Sequence, residues 1–128
     1  MMAFRLERES TTSTPYILID EEKGYMKMEG RCFHENVGAF YMEINKWLDV
    51  YLNTDFGSLT FDNAISYFNS STTKLMLNML MKMDRYSTEQ NKVTINWITV
   101  EDNDIMIECG EDFKEEIENL EFNIVILE

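Results

Sequence analysis

Two β-prone runs, Tyr16-Ile17-Leu18-Ile19-Asp20 and Tyr25-Met26-Lys27-Met28-Glu29, flank the linker Glu21-Glu22-Lys23-Gly24. A short glycine-bearing linker between such runs predicts a hairpin. Val37, Phe40, Tyr41, Ile44, Trp47, Leu48 and Tyr51 then recur at intervals of three and four. That spacing puts them on one stripe of a helix from about Glu35 to Leu52, whose apolar face must dock on a sheet. Leu59 to Phe68 is almost continuously apolar, with Asp62 and Asn63 interrupting its alternation. It reads as a central strand buried on both faces and bulged midway.

Asn69-Ser70-Ser71-Thr72-Thr73 stands directly before Leu75, Met76, Met79, Leu80 and Met83. A cluster of capping side chains ahead of a helical stripe marks the start of a second helix, running to about Tyr86. Val93, Ile95 and Trp97 alternate with polar neighbours from Lys92 to Val100, the period of a further strand. Glu101-Asp102-Asn103-Asp104 opens a third helix, roughly Ile105 to Asn119, and Glu121 to Leu127 reads as the last strand. The resulting order is ββαβαβαβ, an α/β domain with a mixed sheet and helices packed on it. Residues 1–13 end in the hydroxyl-rich Ser10-Thr11-Thr12-Ser13 without periodicity and read as a flexible tail, leaving 14–128 as one domain.

Composition narrows the function. A chain of 128 residues with 45% hydrophobic side chains has one core's worth of material. Its 24 acids against 11 bases give a net charge of −13, which repels phosphate backbones and anionic lipid. Nucleic acid and membrane insertion are therefore not expected. Cys32 and Cys109 are far apart and match no zinc or CxxC spacing, and the N-terminus has no apolar signal segment, so the expected location is the cytoplasm.

Chemistry is sparse. His34 is the only histidine, near Cys32, and the pair is too slight for a nucleophilic site. The five glycines form no phosphate cradle. Ten acids between Glu101 and Glu121 accompany only Lys114, but Asp102, Asp104 and Glu108 lack the alternation and central glycine of a calcium loop, so they read as a solvated helix start and face. No cofactor or metal is predicted, and short connections leave little material for an enzyme's lid or an elaborated loop site.

The informative segment is Tyr67 to Lys74, where a strand ends and a helix begins with four hydroxyls in a row. Ordinary capping explains them. They also suit a phosphoacceptor, because a phosphoryl group there would meet free backbone N–H groups and the positive end of the helix dipole. In the second helix Leu77 and Met81 fall off the core stripe at one-turn spacing, with no core to enter, and supply an adaptable docking face. The predicted partner surface is Asn69, Ser70, Ser71, Lys74, Leu77 and Met81.

Thr14-Pro15-Tyr16, Gly30-Arg31-Cys32-Phe33-His34-Glu35-Asn36, Tyr67-Phe68-Asn69-Ser70-Ser71 and Gly110-Glu111-Asp112-Phe113, in this order from about Thr14 to Ile126, resemble the SiaC-type bacterial regulatory phosphoproteins. These in turn resemble STAS-domain anti-anti-sigma factors. The resemblance implies a STAS-like single domain and a non-enzymatic cytoplasmic switch. It also implies phosphorylation just after the Tyr-(Leu/Phe)-Asn stretch by a GHKL-type kinase, reversal by a PP2C-like phosphatase, and, in the unmodified form, binding and activation of an output protein such as a diguanylate cyclase, with cyclic di-GMP and biofilm growth downstream. Carried over, the acceptor is Ser70, with Ser71 and Thr72 next. The family often has threonine where Ser70 stands, and its proline before the last strand is Glu121 here. A constitutive adaptor, an anti-anti-sigma-type antagonist and a small carboxylate enzyme are the alternatives.

Overall fold

A computed structural model of the protein describes residues 3–33 and 37–128, and of residues 37 and 40 the backbone alone. His34, and the first residues of the expected first helix, lie outside the described residues. The elements are β1 (Arg5–Arg8), β2 (Tyr16–Asp20), β3 (Tyr25–Cys32), α1 (Val37–Tyr51), β4 (Ser58–Phe68), α2 (Ser70–Tyr86), β5 (Lys92–Val100), α3 (Asp104–Glu116) and β6 (Glu121–Leu127). They form one six-stranded sheet in the order β1-β2-β3-β4-β5-β6. β1, β2 and β3 pair antiparallel, whereas β3 to β6 pair parallel through the three helices.

The sheet is mixed, as the pattern predicted, but the order is βββαβαβαβ. The expected tail is in part a strand: Arg5–Arg8 pairs with Ile17–Asp20, and Leu6 packs against the core. Phe4 stacks on Trp47 at 6.1 Å, and Arg8 reaches Glu43 of α1 at 2.7 Å. Only Leu6 is apolar among these four strand residues, and backbone pairing to β2 leaves no periodic trace in such a short run.

Because parallel crossovers are right-handed and the strands advance in one direction, every helix lands on the same face of the sheet. The core between them holds Ile17, Met26, Phe61, Ile65, Ile95 and Trp97 from the strands, met by Tyr41, Leu48, Met76, Met79 and Phe113 from the helices. Among the described residues the opposite face has no helical layer. β4 is therefore not buried on both faces. It alternates regularly, with Asn63 sealed on the core side and Asp62 on the open side, where Asp62 accepts from Tyr25 Oη at 2.7 Å and Asn96 Nδ2 at 2.8 Å. The bulge lies not midway but near the strand's end, where Gly30 pairs with Ile65 and Arg31 with Tyr67, leaving Ser66 as the extra residue.

Candidate functional site at the start of the second helix

β4 delivers the chain to the carboxyl edge of the parallel strands, and Asn69 turns it into α2. Asn69 is extended (φ −82°, ψ 176°), and its Oδ1 accepts from the Thr72 amide at 3.0 Å and the Thr72 hydroxyl at 2.8 Å. Its carbonyl accepts from the Thr73 amide and the Thr73 hydroxyl, each at 3.0 Å. The Asn69 side chain thus satisfies one of the amide donors that a helix start leaves orphaned, and its carbonyl accepts the first bond of the helix.

The four successive hydroxyls consequently have different fates. Those of Thr72 and Thr73 are engaged by the cap. Thr72 is fully buried, against the Cys32 thiol, which burial pushes up despite its hydrogen bonds with Thr72 and Tyr41. A kinase cannot reach Thr72 in this fold, which removes it as a phosphoacceptor. Ser70 and Ser71 are exposed, and among the described residues no hydrogen bond holds either hydroxyl. Lys74, one turn on, is exposed too.

The expected docking pair fares less well. Leu77 is half-buried and packs against the core, and Met81 is half-buried. The core is wider than the helical stripe alone defines, because α1 lies alongside α2, where Lys82 bonds Asp49 at 2.7 Å. The β4 end that leads into this turn is flanked by a neighbouring strand and by α3. Tyr67 is 45% exposed and meets Phe33 edge-on at 5.9 Å. The Arg31 guanidinium lies 5.0 Å from the Phe33 ring centre and 5.5 Å from that of Tyr67. A crevice of about 130 Å³, lined by Tyr67, Thr73, Ile105 and Cys109 among others, separates this edge from α3. Ile105 is 77% exposed. The α3 start is fixed by Asn103, whose Oδ1 accepts from the Met106 amide at 3.2 Å while its Nδ2 donates to the Ser66 carbonyl at 3.0 Å.

Sequence reasoning missed Arg31 and Ile105 as parts of this surface. The signal for Ile105 was present, since it stands off the Met106, Gly110 and Phe113 stripe of its helix. Arg31 carried no such signal, because only the parallel register of β3 on β4 puts it beside Tyr67. The arrangement combines an accessible hydroxyl with an aromatic, apolar and cationic rim, a composition suited to protein recognition. Among the described residues no cluster of three or more His, Cys, Asp or Glu is placed to hold a metal, and no helix is long and apolar enough to cross a membrane.

Comparison with known proteins finds a matching family and similar folds. A family model described as SiaC family regulatory phosphoprotein matches residues 8–127. An uncharacterized protein of Pseudomonas aeruginosa strain UCBPP-PA14 is 26% identical over 106 residues, spanning 83% of this chain and 84% of that one. Among solved structures, apo-SiaC of Pseudomonas aeruginosa superposes with a TM-score of 0.83 at 24% identity, covering 95% of this chain and 98% of that one. SiaC crystallised in complex with the diguanylate cyclase SiaD, of which it is the activator, superposes with a TM-score of 0.87 at 25% identity, covering 95% and 99%.

Proposed function

The chain belongs to the SiaC family of regulatory phosphoproteins, and on that premise we propose that it is a non-enzymatic protein-interaction switch controlled by phosphorylation of Ser70. Its proposed opponents are a GHKL-type kinase and a PP2C-like phosphatase, and its output is a diguanylate cyclase or a similar signalling enzyme in the cytoplasm. The observation that carries the reading is the selective exposure at the α2 start: Ser70 and Ser71 are open while Thr72 is sealed. A dianion on Ser70 would sit beside the first amides of α2, where the helix dipole favours negative charge. It would also sit three residues beyond the exposed Tyr67, whose edge carries Arg31 and Ile105, and so would change recognition without unfolding the domain. Family kinship to a protein crystallised with its cyclase supports the choice of output.

The test is to incubate the chain with its cognate kinase and ATP and to map the label by mass spectrometry. Label on Ser70, lost in Ser70→Ala, is the expected result. Label confined to residues outside Ser70 and Ser71 would overturn the assignment. Binding of the cyclase that is equal for Ser70→Ala and Ser70→Asp would identify a constitutive adaptor instead.

A further inference from the structure

The open face of the sheet has two halves of different character. In the amino-terminal half of the parallel strands, hydrogen bonds run from Tyr25 through Asp62, Asn96 and Asn123 to Glu121, which also meets Lys92 at 3.5 Å. These side chains are satisfied by one another. In the carboxyl-terminal half the register sets Ile98 beside Val125 and Val100 beside Leu127. Val100, Val125 and Leu127 are 44%, 37% and 51% exposed. β4 and β5 pair only as far as Asn63 and Trp97, although they run on to Phe68 and Val100. Where they part, a groove of about 430 Å³ opens, lined by Ala64, Ser66, Ile98, Val100 and Leu127 among others.

Acids stand around this apolar floor. Glu101, Asp102 and Glu128 are exposed and share a second depression with Val100. Among the described residues none of these three carboxylates is in an ion pair. Glu29 borders the groove on β3 beside Lys27, the one cation among the described residues that line it, and the two are paired at 3.2 Å. The rim thus carries uncompensated negative charge. It repels a phosphate backbone, an anionic lipid surface and a second copy of a chain whose net charge is −13, and it attracts a cationic surface.

We propose that this groove docks a cationic amphipathic helix of a partner protein, with apolar side chains at i, i+3, i+4 and i+7 on the floor and Lys or Arg along its flanks. The three strands β4 to β6, about 4.8 Å apart, span about 10 Å, the width of one helix. Apolar sheet faces are ordinarily covered by helices, as α1 to α3 cover the other face of this sheet. The flanking cations are met by Glu101, Asp102 and Glu128 beyond the ends of β5 and β6, and by Glu29 on β3. The inference goes beyond the switch at Ser70, since this face lies opposite the one that carries α2.

The probe is a fluorescent synthetic helix of about five turns, built of leucine on one face and lysine on the other. Anisotropy gives its affinity for the whole chain, and amide shifts of the chain locate it. Shifts are expected at Ala64, Ser66, Ile98, Val100, Val125 and Leu127. Val100→Lys and Leu127→Lys, with the fold checked by circular dichroism, should each weaken binding at least tenfold, as loss of a central apolar contact does. Glu101→Lys should also weaken it, whereas Glu115→Lys, the same charge change on α3, should not at physiological salt. A probe with glutamate in place of lysine should not bind. Ser70→Asp should leave the affinity unchanged, which separates this surface from the proposed switch. The proposal is overturned by no binding at about 0.1 mM probe, by shifts confined to other residues, or by indifference to both Val100→Lys and Leu127→Lys. Equal weakening by Glu115→Lys and Glu101→Lys, or loss of binding in Ser70→Asp, overturns it as well.

Discussion

Asn69 accepts four hydrogen bonds from two successive residues, two on its side chain and two on its carbonyl. Asn69→Ala removes the side-chain half, stripping the Thr72 amide of its partner and its buried hydroxyl of one. Urea unfolding should show a loss of about 1–2 kcal/mol, the usual cost of deleting a cap. A second residue-level expectation concerns Cys109. Burial, reinforced by Asp112, pushes its thiol up to about 11. Its thiolate fraction at pH 8 should then be roughly a hundredfold below that of a free cysteine. Alkylation by iodoacetamide, followed by mass spectrometry, should be correspondingly slow in the folded chain and fast in urea. Because the folded thiol holds its proton longer than the unfolded one, its contribution to stability is complete below about pH 9 and fades as pH rises toward 11.

Each helix is tied to the sheet at particular points, and those ties decide how sharply the site is held. α3 lies so close to β5 that a Cβ on Gly110 would stand 2.4 Å from Trp97 Cδ1 and 2.7 Å from its Nε1. Trp97 cannot yield easily, since its Nε1 donates to the Met106 carbonyl at 2.9 Å and its ring meets Phe68, Phe113 and Phe122. Gly110→Ala should therefore cost about 1–3 kcal/mol through overpacking, outweighing the gain in helix propensity. A lower urea midpoint with a shifted tryptophan emission is the expected observation, and an unchanged midpoint would show that α3 can slide. The far end of α2 is fastened by Asp84, a buried carboxylate that accepts from the amides of Glu118, Asn119 and Leu120 at 3.1, 2.7 and 2.9 Å. α2 thus runs from the Asn69 turn to the segment that leads into β6.

For the molecule as a whole, the proposed site lies at the rim of a complete core, so recognition there would be separable from folding. Ser70 belongs to no core contact, and an added anion is locally favoured by about 0.3–1 kcal/mol. Ser70→Asp should leave the melting temperature within a few degrees of the parent while abolishing capture of the output enzyme. Calorimetry and a pull-down read the two effects separately. A drop in melting temperature parallel to the loss of binding would mean that the substitution acts through the fold.

The alternation in β2, β3 and β5 and the helical stripes were legible in the linear pattern, since periods of two and 3.6 follow from backbone geometry alone. So was the hydroxyl cluster at a helix start, because capping is a local affair. Other features had to wait for the tertiary structure, each because its partners are distant in the chain. β1 is a strand only through its backbone pairing with β2. Leu77 finds partial cover because the core extends beyond its helix's stripe. Arg31 and Ile105 join Tyr67 at the end of β4 because strands and helices of separate origin end at one edge. Of four adjacent hydroxyls, packing alone decided that Thr72 is sealed and Ser70 is open.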